Sequence, residues 1–323
     1  MERDARAFWI RSPGDGEIRD EVLPEPGDGE VLVRTLHTGV SRGTEALVFR
    51  GGVPPNQHAV MRAPFQDGTF PGPVKYGYLN VGVVEHGPSG LLGRPVFCLY
   101  PHQTRYVVPA SAVSPVPDDV PPERAVLAGT VETAVNALWD AAPLVGDRIA
   151  VVGAGMVGCA VAGVLAGLPG GRVQLVDTDP SRANVARAFG VEFAFPEEAD
   201  GDCDLVVHAS ATETGLARSL ELLAPDGEVV ELSWYGDRRV AVPLGEFFHS
   251  RRLTIRGSQV GMVAPARRSR RRFADRLALA LRLLANPAFD TLITGESRFA
   301  DLPEVMPRLA SGELPALCHR ITY

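Results

Sequence analysis

The chain changes texture twice. Up to about residue 120, apolar residues come in short Val-rich runs, at Glu30–Thr35, Leu79–Glu85, Pro95–Tyr100 and Arg105–Pro109, and several of these alternate apolar with polar positions. A period of two puts one face of a strand into a core and the other toward water. Gly and Pro between the runs mark turns, so this part predicts a compact β domain. The segment Pro115–Val120 (PVPDDV) reads as a domain exit. From there to about residue 287, apolar strands alternate with helical patterns, which predicts a parallel sheet covered by helices. The strands expected are Arg148–Val152, Arg172–Val176, Asp204–His208 (taken as the fourth), Gly227–Leu232 and Leu253–Arg256; helices are expected from Gly155 to about Leu168, over Thr214–Leu223 and over Pro265–Ala285. The last residues return to mixed texture, with Cys318–Tyr323 as a candidate strand. The expected organisation is therefore α/β, with one domain at 1–120 and 288–323 and a second at 121–287.

Composition narrows the function classes. With 323 residues, 45% of them hydrophobic, and a net charge of only −7, the chain is not disordered. That mild acidity argues against a general nucleic-acid coat. The four cysteines, Cys98, Cys159, Cys203 and Cys318, are too few and too dispersed for a disulfide scaffold, a metal knuckle or a redox pair. Ile149–Leu168 is long enough to be tested as a membrane span, but glycines punctuate it and charged turns flank it, so a soluble strand–turn–helix explains it better. A soluble cytoplasmic protein with reduced thiols is expected.

The strongest motif follows the strand Arg148–Val152. Gly153, Gly155 and Gly158, with Met156 and Val157 between, spell G-A-G-M-V-G, and Asp177 closes the next strand at the separation of about 20 residues that a dinucleotide fingerprint needs. Gly153 permits the tight turn, Gly155 lets backbone approach a pyrophosphate, and Gly158 lets the helix pack close to the strand. The helix N-terminus holds the anion. Asp177 can accept hydrogen bonds from the adenosine ribose and would repel a 2′-phosphate, so NAD(H) is favoured over NADP(H). Ala209, Ser233 (in Ser233–Gly236, SWYG) and Ser258 (in Gly257–Gly261, GSQVG) lie at strand ends on the same side and are further cofactor candidates.

With those pieces placed, Leu36–Ser41 (LHTGVS), Gly77–Val84 (GYLNVGVV), Tyr106–Pro109 (YVVP) and Gly129–Leu138 (GTVETAVNAL) carry a resemblance to the medium-chain dehydrogenase/reductase, alcohol dehydrogenase-like superfamily. The resemblance covers nearly the whole chain and implies a GroES-like β-rich catalytic domain plus a Rossmann domain. A softer likeness, through Ser41–Glu45 (SRGTE), Lys75–Tyr78 (KYGY) and Pro101–Gln103 (PHQ), is to the hydroxyethyl-bacteriochlorophyllide dehydrogenase branch. In zinc-dependent members three positions hold the catalytic metal. The corresponding positions here are Ser41, Tyr78 and Gly129, which are not a thiolate, imidazole or carboxylate set, and the cysteine-rich structural zinc lobe has no counterpart. No zinc is expected, although His37, Glu45, His102 and Glu132 leave an unusual metal site conceivable.

Without a metal, placed donors must stabilise or protonate the oxygen left by hydride transfer. Tyr78 is the first candidate, with Lys75 or Arg42 lowering its pKa; the plain alternative is a tyrosine filling the emptied metal site. Ser41 is either a proton relay or a small residue that opens the pocket, His102 either an acid or a loop histidine, and Arg42 either a pyrophosphate contact or a surface residue. The run Arg267–Arg272 (RRSRRR) reads as a solvated helix face or an oligomer contact, with acidic-ligand recognition as the alternative. Three functions follow. The first is an NAD(H)-dependent, zinc-free oxidoreductase for a small secondary alcohol or ketone. The second is a zinc-free reductase of quinone or enoyl double bonds, and the third a non-catalytic dinucleotide-binding sensor or scaffold. Nucleic acid and membrane are not expected partners; a homodimer is.

Overall fold

The structure is a computed structural model and describes residues 3–323. It divides into two compact units. One comprises the chain up to Gly129 together with Ile293–Tyr323; the other is Thr130–Leu292. These dividing points fall somewhat later than 120 and 287, because Pro122–Ala125 packs on the strands of the first unit and the turns of Pro287–Leu292 pack on helices of the second.

The first unit is built on a seven-stranded sheet. Its centre is the long strand Glu30–Ser41, flanked by Asn80–His86 on one side and Cys318–Thr322 on the other, with Arg105–Pro109 pairing along its first half. The alternation seen in the sequence is realised here. Val31, Val33, Val84, Val96, Cys98, Tyr106 and Val108 form one buried cluster, and Tyr100 stacks on Tyr106 at 3.9 Å. A second, four-stranded sheet orders Asp15–Val22, Asp4–Ser12, Val74–Lys75 and Asp67–Gly68. The hairpin Asp4–Val22 was not foreseen, since its second strand is charged and mostly half-buried and leaves no apolar signature.

The second unit holds a six-stranded, all-parallel sheet in the order Glu192–Ala194, Arg172–Val176, Arg148–Val152, Cys203–His208, Leu223–Glu231, Thr254–Gly257. The chain starts in the middle, runs to one edge, and returns to build the other side. That order creates a switch point at the carboxyl ends of Arg148–Val152 and Cys203–His208, where open parallel sheets bind ligands. The third strand spans only Glu192–Ala194, too short to leave a pattern. One expected helix is corrected. Pro265–Ala285 is helical only over Phe273–Leu283, and Pro265–Arg272 forms exposed turns. Five arginines crowded into one turn of helix repel one another. The helix begins where Asp275 can accept the Arg272 amide at 2.8 Å, closing a capping box. Among the described residues no helix is long and apolar enough to cross a membrane.

Candidate functional site

The candidate nucleotide cradle of the second unit follows from its glycines. Gly153 has φ +103°, and a Cβ there would meet Ser210 N at 2.5 Å. A Cβ on Gly158 would lie 1.8 Å from the Gly153 carbonyl oxygen, so the helix Met156–Leu165 can press onto the turn only with glycine there. Gly155 differs: its backbone is extended, and a Cβ there would have nothing within 4 Å. It is the N-cap of that helix and offers no side-chain cap, so it supplies no acceptor to the first-turn amides. Uncapped amides, the helix dipole and an open approach together fit a diphosphate.

Asp177 stands at the end of the adjacent strand as expected. One carboxylate oxygen accepts the Ala154 amide at 2.6 Å and the other the Asp179 amide at 2.9 Å. Both oxygens retain a lone pair for ribose hydroxyls. Arg182 pairs with Asp179 at 3.1 Å, which offsets its charge, while Arg187 donates to the neutral Asn184 side chain. Ala209 closes the neighbouring strand, its amide donating to Val152 O at 2.8 Å. Ser233 accepts the Ala211 amide at 3.1 Å, and Ser258 donates to Asp140 at 2.6 Å.

Sequence reasoning missed a cluster at these strand ends. His208 is fully buried; one ring nitrogen meets Glu231 at 2.7 Å and the other Ser210 at 2.6 Å, while Tyr235 donates to the same carboxylate at 3.1 Å. Burial pushes the Glu231 carboxyl up, but hydrogen bonds from His208 and Ser233 outweigh it and hold it below the usual range. The one sequence signal was a histidine ending an otherwise apolar strand. A buried Arg276 completes this unit's polar core. It pairs with Glu132 at 3.0 Å and donates to the Asn136 side chain and the Val260 and Met262 carbonyls, so it ties the loop after Thr254–Gly257 to the helix Ala128–Ala141.

In the other unit, Ser41 ends the central strand and faces Cys318 across the sheet. The helix Thr44–Phe49 starts immediately afterwards and turns Glu45 back, so that its carboxylate accepts the Ser41 amide at 2.8 Å. The second Glu45 oxygen meets His102 Nε2 at 2.8 Å; both residues are almost wholly buried, at 3% and 2% exposed. His102 Nδ1 lies 2.6 Å from the Thr38 hydroxyl. Gly77 makes room for the imidazole, since a Cβ there would come within 3.0 Å of its ring.

Tyr78 joins this cluster, its phenol hydrogen-bonded to Ser41 and Thr44. Burial pushes the phenol pKa up and the Glu45 charge pushes it further, with the Ser41 and Thr44 hydrogen bonds acting against both. The expectation that a cation lowers it is therefore corrected. Lys75 is turned away to Glu21 at 2.9 Å, Gln103 at 2.8 Å and the face of Trp9, and Arg42 is exposed without an ion pair among the described residues. The structure thus brings Ser41, Tyr78 and His102 together and leaves Lys75 and Arg42 out. Glu45 is the residue that organises the cluster. Sequence spacing pointed to it only as a neighbour of Ser41.

A zinc ion does not fit the donors at Ser41, Tyr78 and Gly129, which supply a hydroxyl, a phenol and no side chain. Nor do His37, Glu45, His102 and Glu132 converge: Glu45 and His102 bind each other, and Glu132 binds Arg276. Among the described residues no three His, Cys, Asp or Glu side chains form a group able to hold a metal.

No protein-family model matches the chain. An L-threonine 3-dehydrogenase from Pyrococcus horikoshii is 25% identical over 301 aligned positions, which cover 78% of this chain and 82% of that one. L-idonate 5-dehydrogenase from Escherichia coli superposes with a TM-score of 0.82 at 17% identity, over 100% of this chain and 99% of that one. A second Escherichia coli structure, a short chain alcohol dehydrogenase complexed with NADH, gives 0.78 at 16% identity over the full length of both, and a zinc-binding dehydrogenase structure from Sinorhizobium meliloti bound to NADP gives 0.79 at 16% identity, also over the full length of both. With the two-unit architecture, the parallel sheet order and the intact fingerprint, these likenesses show that the chain shares the fold of these dehydrogenases and is similar in sequence to L-threonine 3-dehydrogenases.

Proposed function

We propose that the protein is an NAD(H)-dependent oxidoreductase that interconverts a secondary alcohol and a ketone without catalytic zinc. The observation that carries this reading is the pairing of a complete dinucleotide cradle with a cluster of hydroxyl, phenol, carboxylate and imidazole groups at the positions where zinc-dependent relatives place their metal ligands. The bound nicotinamide would supply the hydride chemistry. The fingerprint helix would hold the pyrophosphate, and Asp177, with Arg182 held by Asp179, would prefer a ribose diol to a 2′-phosphate.

Tyr78 carries the acid–base role in this reading. Its raised pKa keeps the phenol protonated at neutral pH, which suits a group that donates to a carbonyl oxygen. Ser41 and Thr44 orient it. Glu45 holds the turn that presents Ser41 and, as an anion, opposes ionisation of the phenol. Tyr78→Phe would remove the donor and leave the cradle intact, so turnover should fall by at least about 100-fold with unchanged NADH affinity. The test is fluorescence titration with NADH and NADPH, then steady-state assays of ketones beside quinones and enones. Preferential oxidation of NADH by ketones supports the reading. A preference for activated double bonds would move the protein to the double-bond reductases, and cofactor binding without any turnover would make it a sensor.

A further inference from the structure

The cluster around His208 at the carboxyl ends of the parallel strands has no part in the roles above. His208 ends the strand Cys203–His208, and the pairing register puts Glu231, the end of Leu223–Glu231, directly opposite it. Glu231 Oε2 lies 2.7 Å from His208 Nδ1, and the imidazole is fully buried. The carboxylate is held in turn by the Ser233 amide at 2.7 Å and the Tyr235 hydroxyl at 3.1 Å. On the other side of the ring, His208 Nε2 lies 2.6 Å from Ser210 Oγ.

When His208 is neutral, the hydrogens in this set have one consistent direction. Burial of Glu231 is outweighed by its hydrogen bonds, which hold the carboxyl below its usual range, so it is an anion that only accepts. His208 therefore carries its hydrogen on Nδ1 and presents Nε2 as a lone pair. Ser210 donates its hydroxyl hydrogen to that lone pair, and the Thr212 hydroxyl, 2.8 Å away, donates to Ser210. A serine hydroxyl bonded to an imidazole that is itself held by a carboxylate has its base in place. The imidazole can take the proton as the oxygen attacks, and the carboxylate fixes the tautomer and stabilises the imidazolium.

The backbone presents that hydroxyl. The chain passes from the strand Cys203–His208 to the helix Glu213–Glu221 in one short turn, residues 209–212. Ala211 takes φ +54° there, a left-handed conformation that is strained for a residue with a side chain. Gly215 makes room for the pair, since a Cβ there would lie 2.2 Å from Ser210 Oγ and 2.9 Å from His208 Nε2. Ser210 is half-buried, and Thr212, Glu213 and Thr214 beyond it are exposed. The Ala211 amide is taken by Ser233 at 3.1 Å and the Gly215 amide by Thr212 at 3.0 Å. The Glu213 and Thr214 amides have no acceptor among the described residues, which leaves two helix N-terminal donors for a developing oxyanion.

We propose that Ser210, His208 and Glu231 form an acyl-transfer site that hydrolyses activated esters with a small acyl group, an activity separate from hydride transfer. Ser210 Oγ bonds to the acyl carbon while its proton passes to His208 Nε2. The bond from that carbon to the leaving oxygen breaks, and the leaving alcohol takes the proton from Nε2. Water, deprotonated by the same nitrogen, then releases the acid and restores Ser210. No group changes oxidation state, and water is the only co-reactant. Ser210 and His208 are the catalytic residues; Glu231 is a positioning residue. The close backbone explains the preference for a small acyl group: Gly215 packs on the hydroxyl, and a Cβ on Gly153 would meet Ser210 N at 2.5 Å.

The test uses cofactor-free protein, p-nitrophenyl acetate and a fluorophosphonate probe. Wild type should release p-nitrophenol and carry the phosphonate on Ser210 in peptide mass spectrometry. Ser210→Ala should lose the label and at least about tenfold of the hydrolysis rate above background. Glu231→Gln should slow labelling and hydrolysis by a similar factor. Independently of turnover, nitrogen-15 NMR should show His208 protonated on Nδ1 in wild type, with the proton redistributed toward Nε2 in Glu231→Gln. An unlabelled Ser210, a hydrolysis rate unchanged in Ser210→Ala, or a wild-type His208 protonated on Nε2 alone would each overturn the proposal. None of these results would touch the dehydrogenase reading, which NADH titration and ketone turnover decide separately.

Discussion

Two neighbouring glycines should separate stability from cofactor binding. At Gly158 an added methyl would sit 1.8 Å from the Gly153 carbonyl oxygen, more than 1 Å inside a normal contact, and the obstacle is backbone that cannot rotate away. Overpacking of this kind costs about 1–3 kcal/mol, occasionally more. Taking about 2–3 kcal/mol, and 2–4 °C per kcal/mol for a unit of this size, Gly158→Ala should lower Tm by roughly 4–12 °C. At Gly155 the same methyl meets nothing within 4 Å, and its φ of −71° suits any residue. Only the N-cap preference is lost, about 1 kcal/mol or less. The methyl does occupy the open space before the helix amides, where the pyrophosphate is expected to approach. Gly155→Ala should therefore weaken NADH binding by at least about tenfold, about 1.4 kcal/mol, while melting within a few degrees of wild type. Differential scanning fluorimetry and NADH fluorescence titration read the two effects on the same samples. Wild-type NADH affinity in Gly155→Ala, or an unchanged Tm in Gly158→Ala, would refute the reasoning.

Other consequences follow from the same geometry. Asp177→Ala should shift the NADH-to-NADPH affinity ratio toward NADPH by at least about tenfold, because the charge opposing a 2′-phosphate is gone; equal ratios in mutant and wild type would count against Asp177 as the selector. Arg276→Met leaves Glu132 buried without its partner and should cost about 3–5 kcal/mol in urea unfolding, much of it recovered by adding Glu132→Leu; a loss below about 1 kcal/mol would show that the pair is dispensable. Burial lowers the pKa of both His37, where Arg320 adds to the effect, and His319. Their folded values lie below the unfolded value of about 6.5, so the neutral forms favour folding. That contribution is complete above about pH 6.5 and is lost as pH falls through the lowered folded values. Tm should drop between pH 7.5 and 5, and less steeply in His37→Gln/His319→Gln; parallel curves would contradict this.

Much of the fold could be read because its signals are local. The strand Arg148–Val152, the three glycines and Asp177 lie within one short stretch, and each residue's task is set by its immediate neighbours. The Val-rich runs Glu30–Thr35 and Arg105–Pro109 showed their strands through alternation alone. The short edge strand Glu192–Ala194 and the charged strand Asp15–Val22 did not, because neither buries a patterned face. The helix start at Phe273 was misjudged because arginine is by itself a good helix former, so Arg267–Arg272 reads as helix until charge crowding and the Asp275 cap are considered. The candidate chemistry was only half legible. Ser41 and Tyr78 were found as substitutions at the metal positions and His102 as a nearby histidine. The hydrogen bonds that run from Glu45 through His102 and Thr38 to Tyr323 depend on the pairing of strands far apart in sequence, which no local spacing encodes. Lys75 sits close to Tyr78 in sequence, yet the pleat directs it into another sheet beside Glu21.

The central claim is hydride transfer to a carbonyl without zinc, and metal content measured alongside turnover tests it most directly. Purified protein should be assayed for NADH-dependent ketone reduction before and after exhaustive chelation, with zinc quantified by elemental analysis on the same samples. The account predicts zinc well below one per chain and the same kcat in both samples. One zinc per chain, lost together with activity on chelation and restored with it on adding zinc, would contradict it.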